Sequence, residues 1–373
     1  VNTHIYTPII KGKQYDLRAL GGLLPEDRAQ IKPLIELPPV PGSSNVDAHL
    51  AKFMKNFTRY AGTGNLFLDF YGFLPGQLAA NGLPATIAGY RMFASAGIVV
   101  TPVYGFERDD DLWPQLQIIV QRNGSGFCFR LEEDDIEVDR AEFTWESILL
   151  RSAQLGIGID QVDVVIDLRD IRTVAADEKI DLVTDFLALQ PAINQFRSIA
   201  VIGSSAVKDV SAVEKDSVGS IFRNELKIWA YLRADLPLEA DLIFGDYGVI
   251  HPDFAADDLP VGGTANCKIR YTAGRNILIF RGHQRAGDSG QPHLLAQAVR
   301  NHAAYRGRPY SSGDAYIDDV ASYTTGPGHL GNWVCADMSH HLTFTARQIA
   351  RLVEQVNGSM TEAQIDALLD GMS

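Results

Sequence analysis

The chain has 373 residues, with 33 Lys and Arg against 46 Asp and Glu for a formal charge of −13; 46% is hydrophobic and 21% charged. That balance excludes a disordered chain, and no apolar run reaches the roughly 20 residues of a membrane span. A strongly acidic molecule repels phosphate backbones, so non-specific nucleic-acid binding is not expected.

In chain order, short apolar runs recur at Ile5–Ile10, Pro33–Leu37, Leu66–Tyr71, Ile98–Tyr104, Phe127–Leu131, Val162–Leu168, Ile199–Gly203 and Leu242–Tyr247. Their spacing averages roughly 34 residues, the length of a strand, a crossover helix and two loops. Helical periodicity fills the gaps: Leu17, Leu20 and Leu24; Leu50, Phe53, Met54 and Phe57; Ile180, Val183 and Leu187; then Ile221, Glu225, Ile228, Trp229 and Leu232. Runs such as Val164-Val165-Ile166 are apolar throughout, as in parallel strands covered on both faces. Eight such units without a charged or proline-rich edge predict an α/β fold, a closed (β/α)8 TIM-like barrel. No GxGxxG or GxxxxGK[ST] follows any strand.

After Tyr247 the pattern changes. Lys268–Tyr271 and Ile277–Arg281 read as a β-hairpin around the loop Thr272–Asn276, and one of its strands competes with Ile5–Ile10 for closing the barrel. Residues 284–333 read as long loops around short helices, with Gly287-Asp-Ser-Gly290, Ser311-Ser-Gly-Asp314 and Thr324-Thr-Gly-Pro-Gly328. Two C-terminal helices are expected behind capping boxes at Thr345/Gln348 and Thr361/Gln364. The whole, 1–373, is expected to be one elaborated barrel, with the core in 1–250 and the hairpin, loops and closing helices in 251–373. Three sparse cysteines, Cys128, Cys267 and Cys335, fit neither a disulfide framework nor a zinc cluster; with no signal peptide in Val1 to Lys13, a reducing, cytoplasmic setting is expected.

Barrel function sits at the C-terminal ends of the strands. Those ends carry Lys11, Glu36, Asp69, Tyr104, Arg130, Asp167, Ser204 and Asp246, with Arg169 and Tyr247 just beyond and Arg270, Arg281 and His283 supplied by the hairpin. Charged groups after apolar strands avoid the core, because unpaired burial costs several kcal/mol. Structural ion pairs such as Asp167 with Arg130 are one reading. The other is a working site. Glu36, Asp69 and Asp246 are candidates to hold Mg²⁺ or, with Asp167, to act as base, or a pair of carboxylates to act as in glycoside hydrolysis. Lys11, Arg130, Arg169, Arg270 and Arg281, with Tyr104 and Tyr247, are candidates to hold an anion. His283 is the better placed general acid or base, ahead of His251, whereas His340-His341 is expected in a structural loop before the Thr345 cap. Gly203-Ser204-Ser205-Ala206 lacks the GxSxG elbow of serine hydrolases.

Tyr6-Thr-Pro-Ile-Ile-Lys11, Lys32-Pro-Leu-Ile-Glu36, Phe222-Arg-Asn-Glu-Leu-Lys-Ile-Trp229 and Phe244-Gly-Asp-Tyr247 together resemble the beta protein family of phages and bacterial genomes. Ile269-Arg-Tyr271, Leu278-Ile-Phe-Arg-Gly282, Ser311-Ser-Gly-Asp314 and Trp333 to His341 continue the likeness along nearly the whole chain. The resemblance implies a phage or phage-defence setting and draws attention to Arg223, Glu225, Asp314 and Asp337 as well; it brings no reaction with it. Two functions are therefore expected: a barrel hydrolase acting on a phosphate-bearing, anionic substrate, or a non-catalytic barrel binding a protein partner through Tyr305, Tyr310, Tyr316 and Tyr323.

Overall fold

The computed structural model describes residues 4–42, 44–62, 64–108, 110–236, 242–253, 266–284 and 290–371. The strands are β1 (Tyr6–Ile10), β2 (Leu34–Glu36), β3 (Phe67–Asp69), β4 (Thr101–Tyr104), β5 (Phe127–Leu131), β6 (Val162–Asp170), β7 (Ser198–Ser204), β8 (Ser217–Phe222), β9 (Leu242–Asp246), β10 (Asn266–Ala273) and β11 (Asn276–Gln284). The helices are α1 (Gln14–Gly21), α2 (Pro25–Ala29), α3 (Val46–Tyr60), α4 (Ala85–Ser95), α5 (Trp113–Asn123), α6 (Glu133–Ile136), α7 (Val138–Leu155), α8 (Ala176–Ala188), α9 (Asn224–Asp235), α10 (Gln291–Asn301), α11 (Ser312–Ala321), α12 (Leu330–Gln355) and α13 (Glu362–Asp370).

Strands β1 to β7 and β9 form a closed barrel. All its pairings are parallel, and β1 closes it against β9 with Tyr6 opposite Phe244, which settles the closing strand in favour of the N-terminal run. Both faces of each strand are apolar for separate reasons. Ile10, Ile35, Leu68, Phe129, Ile166 and Phe244 join the core shared with the helices, whereas Ile9, Leu34, Phe67, Val103, Cys128, Val165, Ala200, Ile202 and Ile243 form a second cluster filling the lumen. Below that cluster Lys32 donates to Asp163 at 3.0 Å and lies over the Phe67 ring, closing the bottom. The lumen is thus a packed column with polar side chains at both ends.

A second sheet, ordered β10-β11-β8 and antiparallel, stands outside the barrel. One face packs Ile269, Tyr271 and Phe280 against Ala296 and Val299 of α10, Ile317 and Val320 of α11, and Trp333. On the other face Ile277 joins the main core. Strand β8 is absent from the sequence reading, and Ile221, assigned there to a helix, pairs with Ile277 in this sheet. The hairpin turn is tighter than the expected five-residue loop: Ala273 pairs with Asn276, leaving Gly274 (φ +55°) and Arg275 at the tip.

The C-terminal helices depart from expectation in one place. Thr361 and Gln364 do form a capping box. Thr345, however, lies inside the 26-residue α12, buried and accepting from Arg223 Nη2 at 3.1 Å. A long-range partner has claimed the hydroxyl that local spacing assigned to a cap. His340 and His341 accordingly stand in mid-helix rather than in a loop. Of Gly287-Asp-Ser-Gly290, residues 287–289 lie outside the described residues.

Candidate functional site at the barrel mouth

Successive side chains of a strand alternate between lumen and helices. At the C-terminal ends this brings Glu36, Asp69, Arg130 and Asp167 inward as one layer, with Lys11 and Tyr247 one step past β1 and β9. Arg130 is the hub and is buried. Its Nε and Nη2 donate to Asp167 Oδ2 at 3.0 and 2.6 Å, and its Nη1 donates to Asp69 Oδ2 at 2.7 Å and Glu36 Oε2 at 3.2 Å. Nη2 also meets the Tyr247 hydroxyl at 2.9 Å, which itself donates to Asp167 at 2.6 Å. Lys11 Nζ donates to Glu36 Oε1 at 2.6 Å. Burial alone would raise the Asp69 carboxyl, but Arg108 and Arg130 outweigh it and hold it below the usual carboxylate range. Burial lowers the Lys11 ammonium, against the pull of Glu36.

Above this layer lie the expected Arg169 and two residues that sequence reasoning missed as site members, Tyr71 and Arg108. Tyr71, two residues past Asp69 and so on the same side, offers its ring to three guanidiniums: the carbons of Arg130, Arg169 and Arg108 lie 4.5, 5.0 and 5.7 Å from its centroid. Such contacts are worth about 0.5–2 kcal/mol each. Arg108 follows β4 and donates to Asp69 Oδ1 at 2.5 Å, while its Nη2 is buried without a hydrogen-bond partner among the described residues. Arg169 adopts φ +53°, a left-handed conformation costly for a side chain of this size, at a register shift between Asp167 and Asp170. The turn is held by the Arg169 N–H donating to Asp167 Oδ1, and the guanidinium reaches Asp253 at 2.6 Å. His251 sits alongside, 3.1 Å from Asp170. Beside Arg108 a groove of about 320 Å³ opens, lined by Phe70, Tyr71, Phe73, Tyr104 and Leu116.

Other expected members lie outside the Arg130 layer. Asp246 and Tyr104 end their strands with the opposite parity. Asp246 accepts from the Tyr6 hydroxyl at 2.6 Å, lies 2.8 Å from His341 Nε2 and 3.6 Å from Arg223 Nη2, and so fastens α12 and the start of α9 to the barrel wall. Burial would raise its carboxyl; His341 and Arg223 prevail and lower it. The Tyr104 ring packs on Trp113, with its hydroxyl donating to the Arg108 carbonyl. Arg270, Arg281 and His283 are on the second sheet, facing Asp337, the carbonyls of Ser211 and Val213, and Asp216. Ser205 donates to Glu225. His340 is 2.9 Å from Asp314. Of the four tyrosines in the late segment, Tyr310 packs on His340 and Arg347, Tyr316 on Trp333 and Tyr305 on Tyr271; Tyr323 is exposed.

The carboxylates do not fit a Mg²⁺ ion. Glu36, Asp69 and Asp167 converge on the Arg130 guanidinium, which fills the space a cation would need, and Asp246 faces the helices. No cluster of three or more His, Cys, Asp or Glu suited to a metal occurs among the described residues. What the mouth offers instead is three guanidiniums gathered around Tyr71 above the carboxylates, with Glu36 and Lys11 as an acid–base pair at the edge.

No helix among the described residues is long and apolar enough to cross a membrane. No curated protein matches the chain. Among solved structures it is similar to alanine racemase of Clostridium difficile 630 in complex with cycloserine, at 9% identity and a TM-score of 0.33, over 74% of this chain and 61% of that one. It thus spans less than two thirds of that structure's length. The Beta protein family model matches residues 6–347, nearly the whole of the chain, and the protein belongs to that family.

Proposed function

We propose that this beta family protein binds a phosphate-bearing small molecule at the barrel mouth and hydrolyses its ester. The observation that carries the reading is the gathering of three guanidiniums around Tyr71, next to Lys11, where one of them (Arg108) keeps a buried N–H without a partner. Arginine forks match phosphate oxygens. The apolar groove beside Arg108 would take the rest of the substrate, which favours an aryl or otherwise apolar ester. Arg108 and Arg169 would hold the phosphate. Glu36 would take a proton from water as its oxygen attacks phosphorus, and the ester P–O bond breaks as Lys11 protonates the leaving oxygen. Burial favours that donation by weakening the hold of Lys11 on its proton. Because Lys11 and Glu36 are hydrogen-bonded to each other, the proton then returns from one to the other and resets the pair.

The test is phosphate release from phenyl phosphate with and without EDTA, and binding of the same compound. Glu36→Gln should abolish turnover and keep binding, Arg169→Ala should weaken binding about tenfold, and EDTA should change nothing. Turnover that survives Glu36→Gln, or absence of binding by the native protein, overturns the reading. The likeness to a family of phages and bacterial genomes supports a role in phage–host conflict, which predicts that Glu36→Gln changes plaque counts in a host carrying the gene.

A further inference from the structure

The inner face of the second sheet carries a cluster that the mouth does not use. Lys268 and Arg270 alternate along β10, and Arg281 lies directly across from Lys268 on β11. Like charges directly opposite one another on a sheet are destabilising, and here they are largely enclosed: Arg281 is buried and the Arg270 side chain is 12% exposed. Their pairing is poor. Arg270 has Asp337 of α12 at 4.0 Å, Arg281 donates Nη1 to the Ser211 and Val213 carbonyls and leaves Nε buried without a partner, and Asp209 faces Lys268 from an exposed loop. Asp337 accepts the Arg270 backbone N–H, yet its Oδ1 is buried with no partner. Three cations and two carboxylates thus surround polar atoms on both sides that nothing among the described residues satisfies, although leaving such atoms unpaired is costly. No hydrogen bond or ion pair among the described residues joins this cluster to the Arg130 layer.

We infer that Lys268, Arg270, Arg281 and Asp337 form a second anion site, for a tetrahedral oxyanion that still carries a proton, of the inorganic hydrogenphosphate type. The cations take the charged oxygens. The P–OH donates to Asp337 Oδ1, a hydrogen bond that an unprotonated anion such as sulfate cannot make. An ionised Asp337 facing sulfate would instead repel it, so the carboxylate acts as the discriminator. Burial raises the Asp337 carboxyl to about 7, and burial followed by the Arg270 charge lowers the Lys268 ammonium to about 8.

The probe is inorganic phosphate, titrated calorimetrically at about pH 8 into full-length Arg169→Ala protein, in which the mouth has lost an anion contact. Saturable phosphate binding is expected there, with sulfate at matched ionic strength about tenfold weaker or worse. Lys268→Gln, at a part-exposed position, should weaken phosphate about tenfold, and Asp337→Asn should narrow the gap between the two anions. No phosphate binding, binding indifferent to Lys268→Gln, or sulfate binding as tightly as phosphate would each overturn the inference. Each of these results leaves the turnover test at the mouth unaffected.

Discussion

Replacing Arg130 by Met removes one guanidinium and takes a donor from three carboxylates. Glu36, Asp69 and Asp167 all accept from it, and all three are buried. Taking one partner from a buried ion pair costs about 3–5 kcal/mol, because the remaining charge stays desolvated. Arg108 still faces Asp69 and Lys11 still faces Glu36, so the loss concentrates on Asp167, which keeps hydrogen bonds from neutral Tyr247 and the Arg169 backbone N–H and the more distant Arg169 charge. The lower half of that range is therefore expected, about 3–4 kcal/mol. For 373 residues this is a fall in Tm of roughly 4–5 °C, measured by differential scanning calorimetry at pH 7. The deficit has a pH signature. A stranded carboxyl has its folded pKa raised, so the stability it contributes is present at low pH and lost as pH rises. Arg130→Met should therefore approach the native protein as pH falls from about 7 to 5, and adding Asp167→Asn should recover most of the loss at neutral pH. A deficit below about 1 kcal/mol, or one that does not depend on pH, would refute the assignment of Arg130 as the hub.

Arg169→Gly should relieve the left-handed backbone, worth about 1 kcal/mol, so the variant should melt no lower than the native protein while losing phenyl phosphate binding; a lower Tm would mean that the side chain holds the loop. Asp16 is buried, and desolvation raises its carboxyl to about 6, so its contribution to stability is complete below about 4 and lost as pH climbs through 6. Asp16→Asn should accordingly gain on the native protein across that window, by up to about 3 kcal/mol in urea denaturation, whereas parallel curves would contradict it. Gly313→Ala would place a Cβ 2.2 Å from the Ala336 carbonyl where α11 crosses α12, so it should cost about 2–3 kcal/mol of stability in the same assay; a neutral effect would show that the two helices can part.

The barrel was legible in the sequence because its strands need apolar residues on both faces and therefore stand out as unbroken runs. Lys11, Glu36, Asp69, Arg130, Asp167 and Tyr247 were legible as strand ends. The side they face follows from alternation: Tyr247 shares the parity of the lumen residue Ile243, and Asp246 does not. Counting parity from Ile243 would have kept Asp246 out of the mouth. Arg108 and the turn at Arg169 were not legible, since no periodicity encodes a loop that bends back over a strand. Strand β8 escaped because Ser217 to Phe222 is half polar, with Val218 and Phe222 left exposed. Inside α12, Thr345 kept the spacing of a cap while Arg223, far away in sequence, decided its role.

Whether the barrel mouth holds a phosphate ester is decided by a crystal of the native protein grown with phenyl phosphate and no divalent metal. The phosphate is expected beside Arg108 and Arg169, within reach of Lys11 and Glu36, with the ring in the groove of Phe70 and Phe73. A ligand bound elsewhere, or a mouth in which Arg130 has swung away to admit a metal ion on Glu36, Asp69 and Asp167, would contradict it.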